Sequence, residues 1–424
     1  MLMAPNLGRA ARRAKMEGVR IPSPEALAQR VAALPAAVPL LAALGETPGV
    51  YLVGGAVRDL LLDREPVELD LVVEADPGPV AARLGAPAHA HDRFGTSSVT
   101  VDGFRYDIAR ARRETYSRPG ALPDVTPASL GEDLLRRDFT VNALAISLGG
   151  PQPGALVWAP KGLEDLAARR LRVLHDASFV DDPTRLFRLA RYASRLGFAV
   201  EPHTFELARR AVRTAALATV SAARVGTELR RLAREPDPIA ALHDMRRLGL
   251  AVAIHPRFGL GDPALARRAL ALLPDDGRRG TLALAVASLH VPPDELSEVL
   301  DALAFDAGER DTILAAARRA DELAAALQQA ELPSQIADAV AGAGPELVAI
   351  AGALGPAAAA RQWLDSIRQV RLQIGGADLL EAGIAAGPAI GRGLRAALAA
   401  KRDGRVCGRE AELAEALRAA GLNG

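Results

Sequence analysis

The feature that most constrains this chain is a change of hydrophobic period near residue 160. Upstream, beginning at Val50-Tyr51-Leu52-Val53, short β-rich runs alternate with helical ones. Leu69 to Val73, Ser98 to Val101 and Phe104 to Ala109 are three further runs of this kind. Downstream, Leu, Ala and Val recur at helical spacing, interrupted by Pro or Gly, almost to the end and without a fixed-period repeat. The alanine-rich stretch 314–360 keeps apolar spacing with its charges on one side, which predicts packed helices rather than a linker. At 424 residues the chain exceeds one ordinary core, so two to four domains are expected. The pattern predicts an α+β protein, with a small mixed-sheet head followed by a long all-helical part.

Bulk charge says little about partners. The formal net charge is +1, and Lys15, Lys161 and Lys401 are the only lysines, so nearly every positive charge is an arginine. Arginine forks suit phosphate. A biased genome composition produces the same skew, so an RNA partner is neither supported nor excluded on this ground. Cys407 stands alone, which excludes a disulfide framework or a cysteine-based metal site within one chain. No uninterrupted apolar stretch reaches the roughly 18 residues of a membrane span. Arg9, Arg12, Arg13 and Lys15 are followed by no apolar signal core, so a cytoplasmic location is expected.

The strongest local signal is Leu52-Val53-Gly54-Gly55-Ala56-Val57-Arg58-Asp59, a strand running into two glycines and a helix. Glycines there let backbone N–H groups approach a phosphate, and Arg58 could clamp it. Alone, such a turn is equally a tight connection. Glu68-Leu69-Asp70 follows, thirteen residues past Gly55. In a strand, positions i and i+2 face the same side, so Glu68 and Asp70 project together while Leu69 and Leu71 face the core. Two such carboxylates repel unless a cation such as Mg²⁺ neutralises them with oxygen ligands. Two ions so held activate an attacking hydroxyl and stabilise a pyrophosphate leaving group. The bland alternative is the polar face of an edge strand. Asp107, in the run Arg105 to Arg110, is the candidate third carboxylate or else a solvated strand position.

Next comes Arg136-Arg137-Asp138-Phe139-Thr140-Val141-Asn142-Ala143-Leu144-Ala145. With the glycine turn and the carboxylates, this resembles the class II tRNA nucleotidyltransferase and poly(A) polymerase family, within the polymerase-β-like nucleotidyltransferase superfamily. The resemblance extends through Thr115 to Pro123, His91 to Thr96 with its Phe-Gly-Thr, Gly162 to Leu166, Asp181 to Arg188, and Gly375 to Glu412. It implies an N-terminal extension (1–45), a nucleotidyltransferase head (46–155) and a helical neck with a base-reading motif (156–235). A helical body (236–365) and a tRNA-binding tail (366–424) would follow, with β-structure in the head alone.

The resemblance also implies roles. Gly54, Gly55 and Arg58 would hold the incoming triphosphate, and Glu68 and Asp70 the Mg²⁺ ions, with Asp107 completing the catalytic set. Arg137, Asp138 and Asn142 would sit at the ribose and favour a 2′-hydroxyl. Asp182 and Arg185 match the family's base-reading pair. Cytosine and adenine each offer an amino donor beside a ring-nitrogen acceptor, which a carboxylate and a guanidinium complement. Uracil and guanine place a carbonyl against the carboxylate instead. Positions i and i+3 share a helix face. Locally, however, Asp182-Pro183 also suits a helix cap followed by proline in the first turn. Arg188 continues the stripe, against phosphate or in solvent.

Several positions depart from the family pattern. Glu68 stands where Asp is usual, and Asp181 where Glu is common. Trp158 to Lys161 replaces an Asp-Pro-Phe-Gly run, and Ala223-Arg224 lies where Glu-Arg is frequent. The expected activity is addition of C and A from CTP and ATP to the 3′ end of tRNA. The alternatives are the A-adding half of a split system, a poly(A) polymerase, and a catalytically degenerate RNA-binding member. Residues 111–133 form a full-length loop, which argues against a CC-only enzyme.

Overall fold

The computed structural model describes residues 21–66, 68–84, 89–91 and 96–421. The basic N-terminal cluster (Arg9, Arg12, Arg13, Lys15) and the Phe94-Gly95 pair lie outside the described residues. Two compact units are present, Met1–Val220 and Ser221–Gly424. Their boundary falls inside the segment that the family pattern assigns to the neck.

The strands of the first unit are β1 (Val50–Val53), β2 (Leu69–Val73), β3 (His89–His91), β4 (Thr96–Val101), β5 (Phe104–Arg110), β6 (Arg112–Thr115), β7 (Asp124–Pro127), β8 (Leu144–Ser147) and β9 (Leu156–Trp158). Seven of them form one sheet in the order β3-β4-β5-β2-β1-β8-β9, and β6 and β7 form a separate antiparallel pair. Within the large sheet only β2 and β5 run parallel among the described pairings, with Asp70 opposite Asp107. β8 is apolar on both faces: Leu144, Ala145 and Ile146 are all fully buried. Such covered strands read as continuous hydrophobic runs rather than alternating ones. One side of the sheet packs Val53, Val72, Ala143 and Ala145 against Leu130 and Leu134.

The helix Leu130–Leu135 begins in a capping box, Ser129 with Glu132, which satisfies the first free N–H groups reciprocally. Its end delivers Arg136, Arg137 and Asp138 toward the glycine turn. The helix Arg185–Leu196 buries Leu186, Phe187, Leu189 and Ala190 and stops at Gly197, which is left-handed. β-structure is not confined to residues 46–155. β9 extends the sheet past that limit, and a two-residue parallel pair joins Arg170–Leu171 to Ala199–Val200.

The second unit is helical among its described residues. Its last helices, Pro388–Arg402 and Arg409–Ala420, enclose a small core of Ile374, Leu379, Ile384, Ala397 and Ala416. Gly393 permits their close approach, because a Cβ there would lie 2.5 Å from the Ala416 carbonyl oxygen. No single described helix is long and apolar enough to cross a membrane. The bent pair Pro24–Ala32 and Ala37–Leu44 passes that test only jointly, and its Leu27, Val31, Leu40 and Leu44 are buried.

Candidate active site

The turn after β1 exists because of Gly54. Its φ is +72°, a left-handed conformation that favours glycine, and an added Cβ would crowd Arg137 Nη1 at 3.1 Å. Beside it opens a cavity of about 400 Å³. Its lining brings together Gly54, Gly55, Asp70, Arg137, Asp138, Asn142, Asp182, Arg185 and Arg188 of the residues expected at the site. All belong to the first unit.

One edge of the cavity is acidic. Asp70 lies on β2 in register with Asp107 on β5, and Glu68 immediately precedes β2. Asp70 is open to solvent along the strand edge, yet surrounding protein desolvates its carboxyl. That desolvation, then the charges of Asp107 and Glu68, raise its pKa against the opposing pull of Arg137 and Arg105. Asp70 therefore feels both neighbouring carboxylates. Asp107 also accepts from Ser98 Oγ at 2.5 Å and from Arg105 Nη2 at 3.2 Å. Among the described residues no three His, Cys, Asp or Glu side chains already converge as a closed ligand set. The donors are nonetheless all oxygens, and their mutual repulsion is what a hard divalent cation relieves, so the residues fit Mg²⁺.

The opposite wall is a buried lattice of charge pairs. Asp138, 7% exposed, accepts from Arg188 Nε and Nη2 at 2.9 and 2.6 Å, from Asn142 Nδ2 at 3.0 Å, and from the Phe139 N–H at 2.8 Å. Burial opposes its ionisation, but Arg188 and Asn142 outweigh that and hold its pKa down at about 2. Asp133 is fully buried and binds both Arg136 and Arg137, at 2.7 and 3.0 Å. Glu114 accepts from Arg136 Nη1 at 2.7 Å, Arg112 Nε at 3.2 Å and the Tyr116 hydroxyl at 3.0 Å. Burial, followed by the Glu114 charge, raises the Tyr116 pKa and keeps its phenol protonated.

Asp182 and Arg185 reach the cavity by a different route from the one their spacing suggests. Asp182 is extended, at φ −131° and ψ 90°, just after the short helix Ser178–Asp181. Arg185 opens the next helix, so the two do not share one helix face as expected. A turn in which the Arg185 N–H donates to the Asp182 carbonyl at 3.1 Å brings them together. Proline at 183 forces this break, since the residue before proline is driven out of the helical region. Asp182 also accepts from Thr184 N–H at 3.2 Å and Thr184 Oγ1 at 2.6 Å. Asp182 thus lines the cavity while its carboxylate closes a turn onto Thr184, and the N-cap position of the helix Arg185–Leu196 is Thr184 rather than Asp182.

Comparison with known proteins agrees with this geometry. Residues 50–172 match the family model described as Poly A polymerase head domain. Residues 197–259 match the one described as Probable RNA and SrmB- binding site of polymerase A. An A-adding tRNA nucleotidyltransferase from Geobacter sulfurreducens is 42% identical over 51% of this chain and 25% of its own length. A CC-adding tRNA nucleotidyltransferase from Deinococcus radiodurans is 41% identical over 46% of this chain and 52% of its own length. The Thermotoga maritima CCA-adding enzyme, solved with tRNA, superposes with a TM-score of 0.75 at 26% identity, covering 95% of this chain and 99% of that one.

The stretch 50–172 is thus a poly(A) polymerase-type head domain, and the chain resembles class II tRNA nucleotidyltransferases. It spans only about a quarter to a half of the length of these two curated relatives.

Arg58 stands apart from the role expected of it. It is 3% exposed, donates to Asn142 Oδ1 at 2.7 Å and forks onto Asp59 at 2.9 and 3.0 Å. It braces Asn142 from behind rather than lining the cavity. Arg137 lies against Gly54 instead, and its buried Nε has no protein acceptor. Trp158 lies at the end of β9, and Lys161 makes the left-handed turn into the helix Gly162–Ala167.

The sequence motifs include Tyr116 and Arg136 without assigning them a role, and Arg112, Glu114, Asp133 and Tyr192 are not singled out by them. The Tyr192 ring lines the cavity, and the guanidinium carbons of Arg58, Arg188 and Arg191 lie 5.6, 5.6 and 5.3 Å from its centroid.

Proposed function

We propose that this protein adds C and A nucleotides from CTP and ATP to the 3′ end of tRNA without a nucleic-acid template, releasing pyrophosphate. The observation that carries the reading is one cavity lined by the glycine turn, Asp70 and the Asp182/Arg185 pair together. Gly54 and Gly55 permit backbone approach to the triphosphate, with Arg137 as the adjacent cation. Arg188, Asp138 and Asn142 form a preorganised polar wall at the ribose, where an unmatched 2′-deoxy sugar would leave buried groups unpaired. Asp182 and Arg185 read the base edge. Glu68, Asp70 and Asp107 would hold Mg²⁺, which supplies charge neutralisation at the attacking hydroxyl and the departing pyrophosphate. The helical second unit would take the tRNA through shape and phosphate, as A-form RNA demands. A cytoplasmic location belongs to the same proposal.

A second reading, addition of the terminal A alone, draws on the A-adding name of the Geobacter relative. The CC-adding relative has almost the same identity, so resemblance alone does not choose. The deciding experiment offers purified protein and Mg²⁺ three tRNA transcripts, ending before CCA, after C and after CC. Each receives CTP, ATP or both, beside an unstructured RNA. Completion of all three tRNAs supports CCA addition. Extension of the CC-ending transcript alone supports the A-adding reading. Extension of the unstructured RNA points to a poly(A) polymerase. Binding of tRNA without any incorporation points to a degenerate member and overturns both readings.

A further inference from the structure

We infer that Ser178 is a positioning residue for base selection, acting through the guanidinium of Arg185. The inference rests on the reading of Asp182 and Arg185 given above. Ser178 is fully buried at the start of the helix Ser178–Asp181 and does not line the cavity. Its hydroxyl accepts from Arg185 Nη1 at 2.6 Å, while Arg185 Nη2 donates to the Arg136 carbonyl at 2.7 Å. The two terminal nitrogens are thus held by acceptors from two separate elements. A guanidinium is planar, so holding both of these nitrogens fixes its plane and its rotation about the end of the side chain. Each terminal nitrogen keeps a second N–H hydrogen, and Arg185 lines the cavity with them held in a set direction.

The same residue also reaches Asp182. The Ser178 carbonyl accepts from the Asp182 backbone N–H at 3.2 Å. Ser178 therefore connects to both members of the pair, through its side chain to one and its main chain to the other. Replacing the side chain alone separates the two connections, because the main-chain bond to Asp182 survives. Without the hydroxyl, Arg185 loses one of two anchors, and a buried charged donor is left without its acceptor. The freed guanidinium can then turn toward base edges it would otherwise reject.

The test is steady-state incorporation on a CC-ending tRNA with ATP, CTP, GTP and UTP, for the full chain and for Ser178→Ala. KM for ATP is expected to rise about tenfold with a smaller change in kcat, the equivalent of one hydrogen bond to a charged group. Incorporation of GTP or UTP relative to ATP is expected to rise by a similar factor. Ser178→Thr, which keeps the hydroxyl, restores the wild-type ratio. If Ser178 only packs its helix, Ser178→Ala lowers Tm and slows all nucleotides equally, and an unchanged ratio overturns the inference. Should Ser178→Ala not fold, Ser178→Cys, of similar volume but with a weak acceptor, reads the same ratio, and a wild-type value overturns it again. A wild-type protein that incorporates nothing removes the underlying functional reading, an outcome visible before any variant is made.

Discussion

The two sides of the cavity solve opposite electrostatic problems. At the strand edge, Glu68, Asp70 and Asp107 accumulate negative charge that the protein only partly offsets, and the Asp70 carboxyl resists ionisation. On the facing wall, Asp133, Asp138 and Glu114 are each bound by arginines, and Asp138 stays ionised although buried. On the proposed function, the first side would be completed by a cation, whereas the second is already paired within the protein. Chemistry and selection would then be separated, with an ion serving the one and fixed protein dipoles the other.

The sharpest way to break the contrast is to remove a charge from the paired wall. Asp138→Ala leaves Arg188 without its main carboxylate and is expected to cost about 3 kcal/mol of stability, read from the denaturant midpoint. A loss below about 0.5 kcal/mol, the level of an exposed pair, would show the wall to be loosely held.

Titration sharpens the same point with a smaller effect. The Asp138 pKa falls from the ordinary 3.8 to about 2 on folding. A depressed carboxylate pKa contributes stability above the unfolded value that is lost as pH falls through the folded one. The contribution is about 2 kcal/mol, present above about pH 4 and gone near pH 2. Asp138→Asn should flatten that part of the stability profile, and an unchanged profile contradicts the assignment.

At the acidic edge the sign reverses. A raised pKa means that ionised Asp70 opposes folding, an effect that grows as pH rises through its folded value. Asp70→Asn should therefore stabilise the fold slightly in chelator, by less than about 1 kcal/mol because the carboxylate is exposed to solvent, read as a small rise in Tm. Mg²⁺ should raise the wild-type Tm and leave that of Asp70→Asn nearly unmoved. Equal responses would remove Asp70 from the ion's ligands.

These particulars show what was legible in the sequence. β1, β2, β4 and β5 announce themselves through β-branched residues over a buried core, and Gly54 through its place after β1. The pair at 68 and 70 follows from strand alternation alone. The hairpin of β6 and β7 does not, because its faces carry ion pairs such as Arg113–Glu132 rather than apolar side chains. No hydrophobic period marks it. Arg58 reads as a phosphate clamp until Asn142, 84 positions away in sequence, is found against it. The spacing of Asp182 and Arg185 suggested one helix face, where Pro183 instead imposes a turn. The pairing of residues was visible, but the backbone that pairs them was not.

The central claim is that Asp70 serves a metal-dependent transfer of nucleotides to tRNA. The direct measurement is incorporation of labelled ATP onto a CC-ending tRNA by wild type and Asp70→Ala, with tRNA affinity measured on the same preparations. The account predicts a loss of rate of roughly 10³-fold or more in Asp70→Ala, with tRNA binding nearly unchanged. Full incorporation by Asp70→Ala would contradict it.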